Sequence, residues 1–224
     1  MITPDPKNTE FWHDYYKQAE NSASGQFDKI IKPIILDKYS NISFAHVMDF
    51  ACGFGRMSNI FKRYANRITC CDINSLAIEH CKERFESNRG DTDSCQFSFC
   101  VSDSSLTLPF DDRTFSFIFS WDAMVHFKYK WCDYYLHEFS RILLDGAYAL
   151  IHHSNYGNVQ PDLDKSENWN DNPSGRSNVS ADDIVFMAQK HGLTVVEQNI
   201  FNWGGVPKLD CISLLRKKPQ DAAD

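Results

Sequence analysis

Three carboxylates, two glycines and a few histidines carry the chemical reach of this sequence. An apolar run with Phe44, Val47, Met48 and Phe50 holds Asp49 at its end, and Ala51-Cys52-Gly53-Phe54-Gly55 follows at once. Glycine permits positive φ and lets a ligand approach the bare backbone. A buried strand, a glycine turn and a helix over 57–64 therefore predict a nucleoside-like ligand. A dinucleotide fingerprint requires a third glycine for close helix packing, and Ser58 stands in its place. Asp49 would compete with a pyrophosphate at the helix N-terminus, whereas it suits a cation such as an amino group. About twenty residues on, Ile68 to Asp72 reads as a second strand ending in an acid, at the distance where ribose hydroxyls are held.

The segment Asp49-Phe50-Ala51-Cys52-Gly53-Phe54-Gly55-Arg56 resembles motif I of the class I S-adenosylmethionine (SAM) methyltransferases. The resemblance implies SAM as cofactor and S-adenosylhomocysteine as product. It implies that Asp49, Ala51, Gly53 and Gly55 form the loop around the methionine moiety and that Asp72 accepts the ribose hydroxyls. Ile73 would then pack on the adenine. Asp103, after a third strand from Phe97, would meet the adenine amino group, with the backbone of Ser104 beside the ring.

A fourth strand, Thr114 to Ser120, runs into Ser120-Trp121-Asp122-Ala123-Met124-Val125-His126. Ser120 and Trp121 fall at the cofactor end of that strand. If a helix opens here, Asp122 and His126 share a face, and the carboxylate fixes the tautomer of the imidazole and raises its basicity. This stretch resembles the Asp-x-x-x-His segment of phosphoethanolamine methyltransferases, in which the histidine works with an N-terminal tyrosine. Tyr15 or Tyr16 is the counterpart here, and Tyr16 is counted with the cofactor residues. The fifth strand, Ala147 to Ile151, runs into His152-His153. Side chains alternate along a strand, so one of the pair faces the cofactor, and His153 is the alternate base. Asp122, His153 and Asn155 could approach one another as a magnesium site, but the usual acidic pair is missing, and no catalytic metal is expected.

These groups need a frame. Strands alternating with helices, followed by two strands around Gly204-Gly205-Val206-Pro207, predict an α/β, Rossmann-like, seven-stranded, mostly parallel sheet with helices on both faces and an antiparallel C-terminal hairpin. Trp131 to Leu144 reads as an amphipathic helix stopped by Asp145-Gly146, and Ser180 caps a helix over 181–191. Residues 1–40, with Phe11, Trp12, Tyr15, Tyr16 and the isoleucines from Ile30 to Ile35, read as a helical cap or lid on a single methyltransferase domain over 41–218. Residues 219–224 read as a disordered tail. The polar stretch from Ser154 to Val179, with Trp169, Asn170, Asn172 and Arg176, suits a polar ring such as a sugar and an anionic group.

The formal charge is −7, and no basic stripe invites nucleic acid. No leader and no membrane span is read, so the expected location is cytoplasmic, with the eight cysteines as buried free thiols. A monomer or homodimer is expected. The expected reaction is O-methylation of a small polar acceptor, a sugar or natural-product hydroxyl. N-methylation of a small amine is the alternative within the class. An NAD-linked oxidoreductase and a non-catalytic SAM-binding protein are the alternatives outside it.

Overall fold

In the computed structural model, residues 9–87, 94–103, 107–159 and 173–219 are described. Residues 1–8 of the cap, the side chains of Phe11 and Trp12, Ser104, Trp169, Asn170, Asn172 and residues 220–224 lie outside them. The chain forms two compact units. The first spans Pro4–Ser105 with Phe115–Phe119, and the second spans Leu106–Thr114 with Ser120–Asp224.

The first unit holds α1 (Thr9–Glu20), α2 (Ala23–Gln26, continued by π-type turns over Phe27–Ile31 and Pro33–Lys38), β1 (Val47–Phe50), α3 (Ser58–Phe61), β2 (Arg67–Asp72), α4 (Ser75–Lys82), β3 (Gln96–Val101) and β4 (Phe115–Ser120, of which Ser120 belongs to the second unit). Its strand pairs are all parallel, β2 with β3, β1 with β2 and β1 with β4. Every residue of β1 and β4 is buried, which is why both read as nearly continuous apolar runs. The phenylalanines of β4 build the core. Phe119 lies 4.8 Å from Phe61, and Phe117 lies 5.1 Å from Phe44, ring centre to ring centre. Phe27 reaches Phe61 at 5.5 Å, so the segment after α1 packs into this aromatic cluster.

The second unit holds α5 (Tyr129–Ile142), β5 (Leu143–Ser154), α6 (Tyr156–Val159), α7 (Ala181–Lys190), β6 (Leu193–Trp203) and β7 (Val206–Lys217). Here the pairing is antiparallel, β5 with β7 and β7 with β6. The order of the seven strands is β3-β2-β1-β4-β5-β7-β6.

Three local expectations are corrected. Asp145-Gly146 does not stop the helix. Helix α5 ends at Ile142, and both residues lie inside β5. Gly146, at φ +74°, lets the strand turn there while its carbonyl accepts from Arg216 Nε at 3.1 Å. The terminal turn is shorter than the four residues read from sequence. Gly204 and Gly205 alone make it, both at positive φ, and Trp203 pairs with Val206 across them. Finally, Asp122 and His126 do not share a helix. Only Met124–His126 forms a single 3-10 turn, and Asp122 precedes it at φ +57°. The cap of α7 stands as read from sequence. Ser180 Oγ accepts from the Asp183 N–H, and Asp183 Oδ2 accepts from the Ser180 N–H.

Candidate active site

In the first unit, three carboxylates mark the C-terminal ends of parallel strands. Asp49 is buried and accepts a 2.6 Å hydrogen bond from Ser58 Oγ. Burial pushes its carboxyl up to about 8. Asp72, also buried, ties the loop to β2. Its Oδ2 accepts from the Gly53 N–H at 2.8 Å and its Oδ1 from the Asn74 N–H at 2.9 Å. Burial raises its carboxyl, against the pull of those backbone N–H groups. Asp103 is exposed two residues beyond β3, and Ile73 is half-buried.

The glycine loop is held in left-handed backbone. Gly53 and Gly55 have φ of +54° and +70°, and Ala51 adopts +56° despite its side chain. Both glycines are also needed for packing against the protein itself. A Cβ on Gly53 would meet Tyr16 Cε1 at 2.8 Å, and one on Gly55 would meet Phe85 Cε2 at 2.7 Å. Helix α1 therefore lies on the loop. The Tyr16 ring is 4.8 Å from Phe54, Arg56 Nη1 donates to the Ala19 carbonyl at 3.0 Å, and Arg84 pairs with Glu20 at 2.6 Å. Burial and the nearby Asp72 charge raise the Tyr16 phenol, so it stays neutral.

In the second unit the chain leaves β4 through Ser120, Trp121 and Asp122. Ser120 Oγ is fully buried without a hydrogen-bond partner among the described residues. The Trp121 ring lies 4.4 Å from that of His152. His126 Nδ1 is 2.8 Å from the Gly175 carbonyl. A carbonyl only accepts, so Nδ1 carries the hydrogen and the lone pair of the neutral ring sits on Nε2. Burial, then the Arg176 charge, lower the pKa of this ring, and Asp122 pulls it back upward. The imidazole is neutral at physiological pH, while the residue keeps partial exposure.

The other two histidines are bound up differently. His153 is fully buried. Its Nδ1 faces the Ser154 carbonyl at 2.8 Å and its Nε2 the Ser213 hydroxyl at 2.7 Å, so both ring nitrogens are engaged. Burial pulls it down to about 4. His152 accepts the Asp122 backbone N–H on Nδ1 at 3.1 Å and therefore donates from Nε2 to Asp210 at 2.9 Å. Arg176 completes the cluster with a fork on Asp210, at 2.8 and 2.7 Å. Its guanidinium also stands 3.7 Å from Asp122 and over the Trp203 ring at 5.6 Å. Arg176 thus anchors a buried carboxylate, where the sequence suggested a hold on an anionic ligand. Asn155 bonds the Lys208 carbonyl and the Ala181 N–H, so the trio weighed for magnesium is tied to separate partners.

Sequence reasoning named His152 beside His153 but preferred His153, and it missed Asp210 and the tie between Gly175 and His126. Asp210 stands across from Ser154 and reaches His152 two positions along β5, a diagonal contact set by the strand register.

Residues 47–146 match the family model described as a methyltransferase domain. Over that span the chain is similar to methyltransferase domains. The match starts at the first residue of β1 and takes in the glycine loop, Asp72 and the Asp122–His126 stretch. No curated protein matches the sequence. Among solved structures, a SAM-dependent methyltransferase from Methanosarcina mazei is similar at TM-score 0.64 and 16% identity, over 84% of this chain and 99% of that one. A TehB-like SAM-dependent methyltransferase from Corynebacterium glutamicum gives 0.62 and 17%, over 94% and 100%. The 4+2 cyclase SpnF gives 0.69 and 13%, over 98% and 99%. At such identities the likeness is one of fold, and the cyclase illustrates that a fold does not dictate one reaction. Among the described residues, no helix is long and apolar enough to cross a membrane.

Proposed function

We propose that this methyltransferase domain moves the methyl group of SAM to a hydroxyl of a small polar acceptor, a sugar or natural product, with His126 as general base. One observation carries the choice of base: the 2.8 Å bond from His126 Nδ1 to the Gly175 carbonyl. It fixes the proton on Nδ1 of a ring kept neutral by burial and by Arg176. His153, the alternate base, is fully buried, whereas His126 keeps partial exposure, and we assign the role to His126 on that difference.

The donor set suits SAM. Asp72 accepts the backbone N–H groups of Gly53, Asn74 and Ile73, which leaves one of about four lone-pair sites for a ribose hydroxyl. Asp49 offers a buried carboxyl to an ammonium group. Tyr16 holds the glycine turn from the side of α1. When bound, SAM supplies an electrophilic methyl group, and orienting the acceptor oxygen for in-line attack contributes most of the acceleration. His126 Nε2 takes the hydroxyl proton as the new C–O bond forms, a contribution of about 10²–10⁴ in rate.

The test pairs SAM binding by calorimetry with turnover on a panel of hydroxylated acceptors and small amines. His126→Ala is expected to cost at least about a hundredfold in kcat and to leave the SAM affinity within a few-fold. Turnover by the variant equal to the parent removes the base role. Methylation of the amines alone replaces the hydroxyl acceptor, and NAD binding without SAM binding overturns the whole reading.

A further inference from the structure

A cluster outside this chemistry lies directly under the glycine loop. Cys52 belongs to the loop itself, Cys70 to β2 and Cys81 to α4, and all three are buried, at 8%, 0% and 0% exposure. Their sulfur atoms all lie within 4.8 Å of one another, and those of Cys52 and Cys81 are 3.9 Å apart. Among the described residues this is the one group of histidine, cysteine or acidic side chains gathered so closely.

The spacing has a simple geometric meaning. Zinc–sulfur bonds are about 2.3 Å long, so sulfurs around one ion stand about 3.8–4.0 Å apart, tetrahedral or trigonal. The Cys52–Cys81 separation already equals that edge, and Cys70 has at most 0.8–1.0 Å to give by the same measure, roughly a side-chain rotation. All three are free thiols on separate elements, so an ion between them would cross-link the loop after β1, strand β2 and helix α4. Thiols in this arrangement favour soft, thiophilic ions over magnesium or calcium. Charge selects among them. Three thiolates leave a net charge of −1 around a divalent ion and −2 around a monovalent one, and Asp72 and Asp49 stand on the same loop and strand ends. The divalent ion leaves the smaller buried charge.

We propose that Cys52, Cys70 and Cys81 form a binding site for one divalent d¹⁰ ion of the zinc type beneath the glycine loop. Each thiol that enters coordination gives up its proton, so affinity rises with pH; the ion holds the glycine loop through Cys52, and the hydrogen bond that the Cys81 thiol donates to the Gly53 carbonyl at 3.3 Å is given up with that proton. Binding at these sulfurs is independent of methyl transfer, and either reading can fail without the other.

The test uses the full chain, reduced, stripped of metal and kept without oxygen. Zn(II) is titrated against a competing chelator, and Cd(II) serves as an optical probe through its thiolate charge-transfer band. One ion per chain is expected, with a rise in Tm on loading. Cys52→Ser, Cys70→Ser and Cys81→Ser should each weaken binding at least tenfold, while Cys132→Ser, a buried thiol of the other unit, should bind as the parent does. X-ray absorption on the loaded parent chain covers the case in which a variant fails to fold, and three sulfur neighbours near the zinc are expected. Absence of stoichiometric binding, a shell of nitrogen and oxygen only, or equal loss in Cys132→Ser overturns the site.

Discussion

The glycine loop and the histidine cluster answer the same structural problem with opposite means. Each follows a buried strand, β1 or β4, and each begins with a non-glycine residue forced to positive φ, Ala51 at +56° and Asp122 at +57°. Beyond that point they diverge. Around the loop, carboxylates meet backbone: Asp72 holds the N–H groups of Gly53 and Asn74. In the cluster, side chains meet side chains: Asp210 is shared by His152 and by both arms of Arg176. The loop is built from residues close in sequence, with α1 laid on top. The cluster gathers positions 122, 126, 152, 176 and 210, from four separate stretches of chain. Local backbone strain is thus common to both, but the loop is designed around a ligand-sized backbone cradle, and the cluster around a fixed buried charge network.

The largest effect should come from the network. Arg176→Ala leaves Asp210 buried with His152 as its remaining side-chain partner among the described residues, and a broken buried pair costs about 3–5 kcal/mol. Denaturant melting should show this drop, whereas a fall below about 1 kcal/mol would mean that the network is solvated and the contrast between the regions is false. His153 should set the acid limb of stability. Its pKa falls from 6.5 unfolded to about 4 folded, so the unfolded chain binds more protons between those values. Stability is whole above pH 6.5, declines as pH drops toward 4, and loses on the order of 3 kcal/mol over that window. His126, lowered in the same direction, adds to the slope. Melting from pH 7.5 to 4 on the parent and on His153→Gln separates the two, since the variant should flatten most of the decline.

On the loop side, Asp72→Asn should weaken SAM binding by roughly ten- to a hundredfold, because hydrogen bonds to a charged acceptor are worth about 1.5–3 kcal/mol. Calorimetry reads this directly, and unchanged affinity would detach Asp72 from the ribose. The smallest effect is expected from Ala51→Gly. Removing the side chain at φ +56° relieves about 1 kcal/mol of left-handed strain, partly offset by the entropy of the freer unfolded chain. A net gain of a few tenths of a kcal/mol in thermal unfolding fits, and a loss would show that the Ala51 methyl is needed for packing.

Legibility followed the same division. The strand ends at Asp49 and Asp72, the glycine turn and the cap at Ser180 are written in short runs, because hydrophobic continuity, glycine and capping chemistry act over a few residues. Asp122 and His126 were misread as partners on a helix for the same reason. A four-residue spacing suggests a shared face, but the chain at Asp122 turns into left-handed backbone and presents its N–H to His152 instead. Asp145-Gly146 looked like a helix stop and became part of β5, since pairing of β5 with β7 outweighs a local turn preference.

By itself, then, the sequence determined the order of strands and helices and the glycine cradle with its acids, consequences of local periodicity and steric need. Tertiary structure alone decided which histidine is buried, which nitrogen bears its proton and where Arg176 goes. Those outcomes depend on the partner each polar group meets when it leaves water, and that partner can lie anywhere in the chain.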